Sequence, residues 1–243
     1  MTNLKVKSRI DNSAKKFRQT NQPPVAVMHI LDGLNLQLFW DFLSSRNTSN
    51  GLPYHNKYHA LCMLLNCYEG GISCALTIDG LRGLCAAALL HDFGHSGGRM
   101  GDDVNIGIAL EGLDKAQLDA KSRGEGLSDE QMAIARSCIS ITQYPYVSAP
   151  KSTPEMIIRD ADLMQLYEDS PEALLNQYLG LKKEIEVSKD YIPMKVFVVG
   201  LKKFHDEMVW HTAWAKERAK AQNLTERREN LYRLLSQHVK EMA

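Results

Sequence analysis

Apolar residues recur three or four positions apart along most of this chain, and that spacing commits it to helices. Val27, Leu31, Leu34, Leu38 and Phe42 form one stripe, and Tyr58, Leu61, Cys62, Leu65 and Tyr68 form another. Ile78, Leu81, Leu84, Cys85, Ala88 and Leu89 follow, then Met132, Ala135, Cys138 and Ile139. Phe197, Leu201, Phe204 and Met208 come next, and Leu231, Leu234, Leu235, Val239 and Met242 close the series. A turn of 3.6 residues puts such positions on one face, which must be buried against another element. No run alternates with the period of two that a half-buried strand needs. The spacing predicts an all-α multi-helix bundle of nine or ten helices. Trp210 and Trp214, spaced one helical turn apart, read as packing residues.

Three breaks interrupt the pattern. Residues 47–53 are turn-rich, 96–103 hold three glycines and read as a mobile loop, and 144–154 hold three prolines. None has the composition of an interdomain linker. The expected organisation is a polar, basic arm over 1–22, one helical domain over 23–217 and a charged helical extension over 218–243.

Charge narrows the partners. Lys and Arg number 29 and Asp and Glu also 29, so the net charge is zero. Proteins that grip a polyanion carry a basic excess, so no nucleic-acid polymer is expected as a partner. The longest apolar run, 84–90, falls far short of the roughly 20 residues a bilayer requires, so no membrane is expected either. The polar start lacks an apolar signal core, and the five cysteines have no CxxC spacing. Both features fit reduced thiols in a cytoplasmic protein. Either a monomer or a homodimer fits these features.

The chemistry lies in histidine spacing. His55 and His59 are four apart in His55-Asn56-Lys57-Tyr58-His59, as are His91 and His95 in His91-Asp92-Phe93-Gly94-His95. Side chains four apart on a helix point the same way, which brings two imidazoles to one place. His91-Asp92 follows the apolar run 84–90, at the end of a buried and therefore rigid helix. Imidazole nitrogen with carboxylate oxygen suits Zn, Mn, Fe or Mg. Asp160 and Asp162 follow Ile157-Ile158, and carboxylates in that setting need partners. Asp162 reads as the ligand and Asp160 as a surface or supporting carboxylate. His29, His205, His211 and His238 carry no such pattern.

The order His…His-Asp…Asp resembles the HD superfamily of metal-dependent phosphohydrolases. Tyr54-His55-Asn56-x-x-His59-Ala60 is similar to the first signature of class I cyclic-nucleotide phosphodiesterases, and residues 87–95 and 157–163 to two later segments. The resemblance covers about residues 50–165. It implies an all-α HD-domain, phosphodiesterase-like fold and two divalent metal ions. His59, His91, Asp92 and Asp162 would be ligands, with Asp92 shared between the ions and a hydroxide held there as nucleophile. It further implies His55 as general acid, with His95 and Asn56 assisting. The expected activity is hydrolysis of a cyclic nucleotide or related small nucleotide diester. A nucleotidase or phosphomonoesterase, and an idle nucleotide-binding module, use the same ligands and stay open.

This chain departs from the family pattern in several places. Gly94 replaces the usual Asp, and Ser96-Gly97 replaces Pro-Gly. The loop to Asn105, itself a candidate substrate contact, is longer and carries Arg99, which reads as a phosphate clamp or as a plain solvated arginine. The family's base-clamping Gln aligns with Val198 or Val199, so that clamp is missing. Gln165, Gln143 and Tyr144 are candidate substrate contacts, with Tyr146 beside them.

Overall fold

The computed structural model describes residues 25–164, 171–187 and 191–241. The basic arm over 1–22, Gln165 and Met242 lie outside them. The described residues form eleven α-helices and no strand. In chain order these are α1 (Val25–Gly33), α2 (Gln37–Arg46), α3 (Lys57–Ser73), α4 (Ile78–Leu90), α5 (Asp102–Ser122) and α6 (Asp129–Ile141). After them come α7 (Thr153–Leu163), α8 (Pro171–Glu186), α9 (Met194–Asp206), α10 (Ala213–Ala221) and α11 (Leu224–Glu241). A 3₁₀ turn, Thr48–Gly51, joins α2 to the segment before α3. None of these helices is long and apolar enough to cross a membrane.

Local chemistry sets the helix starts. Asn56, Thr77, Ser128, Ser152 and Thr212 cap α3, α4, α6, α7 and α10 with side-chain oxygens. Ser128 with Gln131 and Ser152 with Glu155 form reciprocal capping boxes. The stripe from Val27 to Phe42 belongs to two helices, because Asn35 at φ +50° ends the first run. Trp210 and Trp214 do not share a helix: α10 starts at Ala213, after Trp210.

Helix α4 is the axis of the bundle. Its residues from Leu84 to Leu90 are all buried, as expected for a helix that is apolar all round. It packs on α2, α3, α5, α6 and α7. Gly83 allows the approach of α6, since a Cβ there would lie 2.7 Å from the Gln131 carbonyl oxygen. Helix α11 is no loose extension: Leu231, Tyr232 and Leu235 are buried in the core, and the helix packs on α8 and α9.

His205 binds these C-terminal helices together. Its Nε2 lies 3.0 Å from the Tyr178 hydroxyl of α8 and its Nδ1 2.6 Å from the Tyr232 hydroxyl of α11. A neutral ring offers one donor and one acceptor, which matches two hydroxyls. Burial, aided by the Arg228 charge, pushes its pKa down to about 3. An unfolded histidine takes a proton near pH 6.5, so the unfolded state binds more protons between about 3 and 6.5. This group's contribution is therefore present above pH 6.5 and lost as pH falls toward 3. In urea unfolding from pH 7 to pH 4, the stability advantage of the wild type over His205→Gln should shrink. An advantage that grows on acidification would contradict the neutral assignment.

Candidate metal and catalytic site

Four elements deliver the site. His59 lies in the first turn of α3, where Asn56 fixes the helix start. The Asn56 carboxamide oxygen accepts from the Tyr58 N–H at 2.9 Å, and its nitrogen donates to the Leu52 carbonyl at 2.8 Å. Its side chain therefore serves the helix terminus and lies on neither cavity wall described below. His91 caps the C-terminus of α4, and Asp92 follows it. Asp162 is in the last turn of α7.

The ligand atoms converge. His59 Nε2 lies 3.0 Å from His91 Nε2 and 3.4 Å from Asp162 Oδ1. Asp92 Oδ2 is 3.0 Å from both imidazole nitrogens, yet it is buried with no hydrogen-bond partner. Separations of 3.0 Å are what neighbouring ligands show when each sits about 2.1 Å from one ion at right angles. An orphaned buried oxygen beside two imidazole nitrogens is thus a donor set that suits a divalent cation. His91 Nδ1 lies 3.0 Å from the Ala88 carbonyl, which fixes the ring proton there and leaves Nε2 its lone pair.

Charge agrees with geometry. Burial alone would lower the His59 pKa, but the adjacent Asp162 and Asp92 carboxylates outweigh it and carry it to about 10. Burial would likewise raise Asp92, but His91 and His55 hold it well below the usual carboxylate range. The site is a concentration of anionic demand that protons or a cation must meet.

A second group lies alongside. His55 Nδ1 is 2.6 Å from Glu184 Oε2, near the end of α8, and the backbone N–H groups of Tyr54 and His55 donate to Glu184 Oε1. Burial acts to raise Glu184, but the His55 hydrogen bond wins and keeps it below its usual pKa. The His55 and His95 rings stack with centroids 3.7 Å apart. Burial and the adjacent His55 hold the His95 pKa down at about 4, so it is neutral near pH 7. Asn105 accepts from the Ser96 N–H through Oδ1, and its Nδ2 lies 3.1 Å from His95 Nε2. Gly94, at φ +70°, supplies the left-handed turn between Asp92 and His95, which accounts for glycine at that position.

Two connected cavities adjoin these groups. A polar one of about 90 Å³ holds His91 and Asp92. A larger, mostly apolar one of about 570 Å³ opens beyond it, and both are walled by His55, His95, Asp102, Asn105, Tyr144 and Asp162. Comparison with protein-family models finds none that matches this chain, and comparison with curated proteins finds no match either.

Several expected contacts are not on these walls. Arg99 is exposed and lies on neither wall, although its neighbours Gly98 and Met100 line the larger cavity. Gln143 lies on neither wall, whereas Tyr144 lies on both. Asp160 is fully buried, not superficial: it accepts from the His211 and Thr212 N–H groups and the Thr212 hydroxyl. Val198 and Val199 are off the wall, and helical register presents Val196, Phe197 and Gly200 in their place.

Glu184 and Asp102 were not legible as site residues. Glu184 lies in a charged helical run, Lys182-Lys183-Glu184, that reads as a solvated face. Asp102 reads as a helix-start acid; its Oδ2 accepts from the Tyr144 N–H at 2.6 Å, and burial raises its pKa.

Proposed function

We propose that this chain is a metal-dependent phosphodiesterase of the HD type, hydrolysing a cyclic nucleotide or a related small nucleotide diester. The observation that carries the reading is the convergence of His59, His91, Asp92 and Asp162 beside a histidine that is tied to a carboxylate. His59, His91, Asp92 and Asp162 would hold one divalent ion, and Asp92 would be shared with a second. Bound ions there supply water that ionises near neutral pH and offset negative charge on the phosphoryl oxygens.

The chain's own groups do the rest. His55 commits Nδ1 to Glu184, so Nε2 is the nitrogen that hands a proton to the departing oxygen. Glu184 steadies the charged ring before transfer and fixes its tautomer. His95, neutral and held by Gly97 and Asn105, stacks on the His55 ring and positions it without adding a competing charge. The larger cavity holds the organic part of the substrate next to the reacting phosphate.

Protein purified without chelator should carry divalent metal, by elemental analysis. With Mn, Mg or Zn it should hydrolyse 3′,5′-cyclic nucleotides faster than nucleoside mono- or triphosphates. Turnover confined to monoesters would move the chain to the nucleotidases. Absence of both metal and turnover would leave a binding module.

A further inference from the structure

The larger cavity has two chemically distinct ends. Its polar end is the site already described. Its far end is built from α9, which presents Val196, Phe197, Gly200, Leu201 and Phe204, and from Leu181 and Ile185 of α8. Two hydroxyls on the chamber wall are already engaged, and two tyrosine rings are held by ring contacts. The Tyr178 hydroxyl meets His205, and the Thr142 hydroxyl donates to the Ile139 carbonyl at 2.8 Å. Tyr146 lies beneath the Arg159 guanidinium, 3.7 Å from its ring centroid. Tyr144 stands edge-on to both Tyr146 and Phe204, with centroids 5.4 Å apart in each case. Among the described residues, no carboxamide, carboxylate or cationic side chain lines this end.

We infer that this chamber takes the organic arm of the phosphodiester by shape and apolar contact, without reading a base edge, and that Gly200, an exposed residue of its wall, sets how wide its rim opens. The inference rests on the phosphodiesterase reading and names the substrate class within it. A site built to hydrogen-bond its substrate rejects an analogue lacking those groups by about 10⁴–10⁵, whereas an apolar pocket discriminates far less. Here the bias runs the other way. A base-edge group buried against the α8 and α9 walls loses its water and meets only apolar side chains there. A flat aromatic arm with few polar atoms therefore binds best, adenine next and guanine worst. Gly200 matters because a Cβ there meets nothing within 4 Å, so a larger side chain enters open space without disturbing α9.

The test uses three ribose 3′,5′-cyclic phosphates, bearing benzimidazole, adenine and guanine. KM should rise in that order, at least tenfold from first to last, while kcat changes less than about threefold. Gly200→Leu should raise KM for the benzimidazole compound at least tenfold. Val199→Leu, one residue away and off the wall, should leave both parameters unchanged. Titration calorimetry of the same compounds in EDTA separates the two readings. The same order of affinities without hydrolysis by any metal form removes the phosphodiesterase and keeps the chamber. Hydrolysis that favours guanine, or one affinity for all three in both wild type and Gly200→Leu, overturns the chamber and keeps the enzyme. No hydrolysis and no binding of any compound overturns both.

Discussion

Asp92→Ala should lower phosphodiester turnover a thousandfold or more and strip the protein of bound divalent metal. Asp92 Oδ2 is the carboxylate oxygen shared by His59 and His91, 3.0 Å from each. It is also buried without a hydrogen-bond partner, so its burial is offset only by what lies between it and those rings. Metal chemistry supplies several kcal/mol of transition-state stabilisation, and each 1.4 kcal/mol is about tenfold in rate. A loss of about three to four powers of ten follows. Elemental analysis and kcat/KM of the same preparation check it, with thermal unfolding to establish that the variant folds. Asp92→Asn keeps the shape and removes the charge, and should behave almost as badly. Full metal content with full activity in either variant would mean that the ligand set is misassigned.

Glu184→Gln is the second large effect, and its signature is selective. The carboxylate accepts from His55 Nδ1 and from two backbone N–H groups at once. Glutamine keeps an oxygen for the backbone but turns an amide toward Nδ1. The ring then no longer has an anionic partner to steady its protonated form. General acids typically contribute about 10²–10⁴ in rate, so kcat for a cyclic nucleotide, whose leaving group is an alkoxide, should fall about a hundredfold or more. A p-nitrophenyl diester leaves without a proton and should lose less than about threefold. Equal losses on both substrates would mean that Glu184 is only structural.

The periodic stripes made the helical architecture legible. Two boundaries were not, because φ +50° at Asn35 and the late start of α10 at Ala213 depend on turn geometry that periodicity does not encode. The pairing of His59 with His91-Asp92 and Asp162 was legible because HNxxH and HDxxH spacings survive as local patterns. Glu184 was hidden, since its partner His55 is 129 residues away and only the topology of α8 brings them together. Arg99 stayed open between a clamp and a solvated side chain for the converse reason. A glycine-rich loop shows where a side chain starts but not which way it faces. Register misled in α9, where a shift of one or two positions decides whether valine or glycine meets the cavity.

Asp160 has a consequence for how small a working unit can be. Asp160 and Asp162 leave the same turn of α7 in different directions, Asp162 toward His59 and Asp160 toward the backbone at His211 and Thr212. The conspicuous signatures end by residue 165, yet a fragment ending there would lose the three donors that satisfy Asp160 and would leave a buried carboxylate bare, two residues from Asp162 within the same turn. It would also lose Glu184. The catalytic motifs therefore do not delimit a transplantable module. The indivisible unit reaches at least into α10, and any shortening, fusion or insertion must respect that reach.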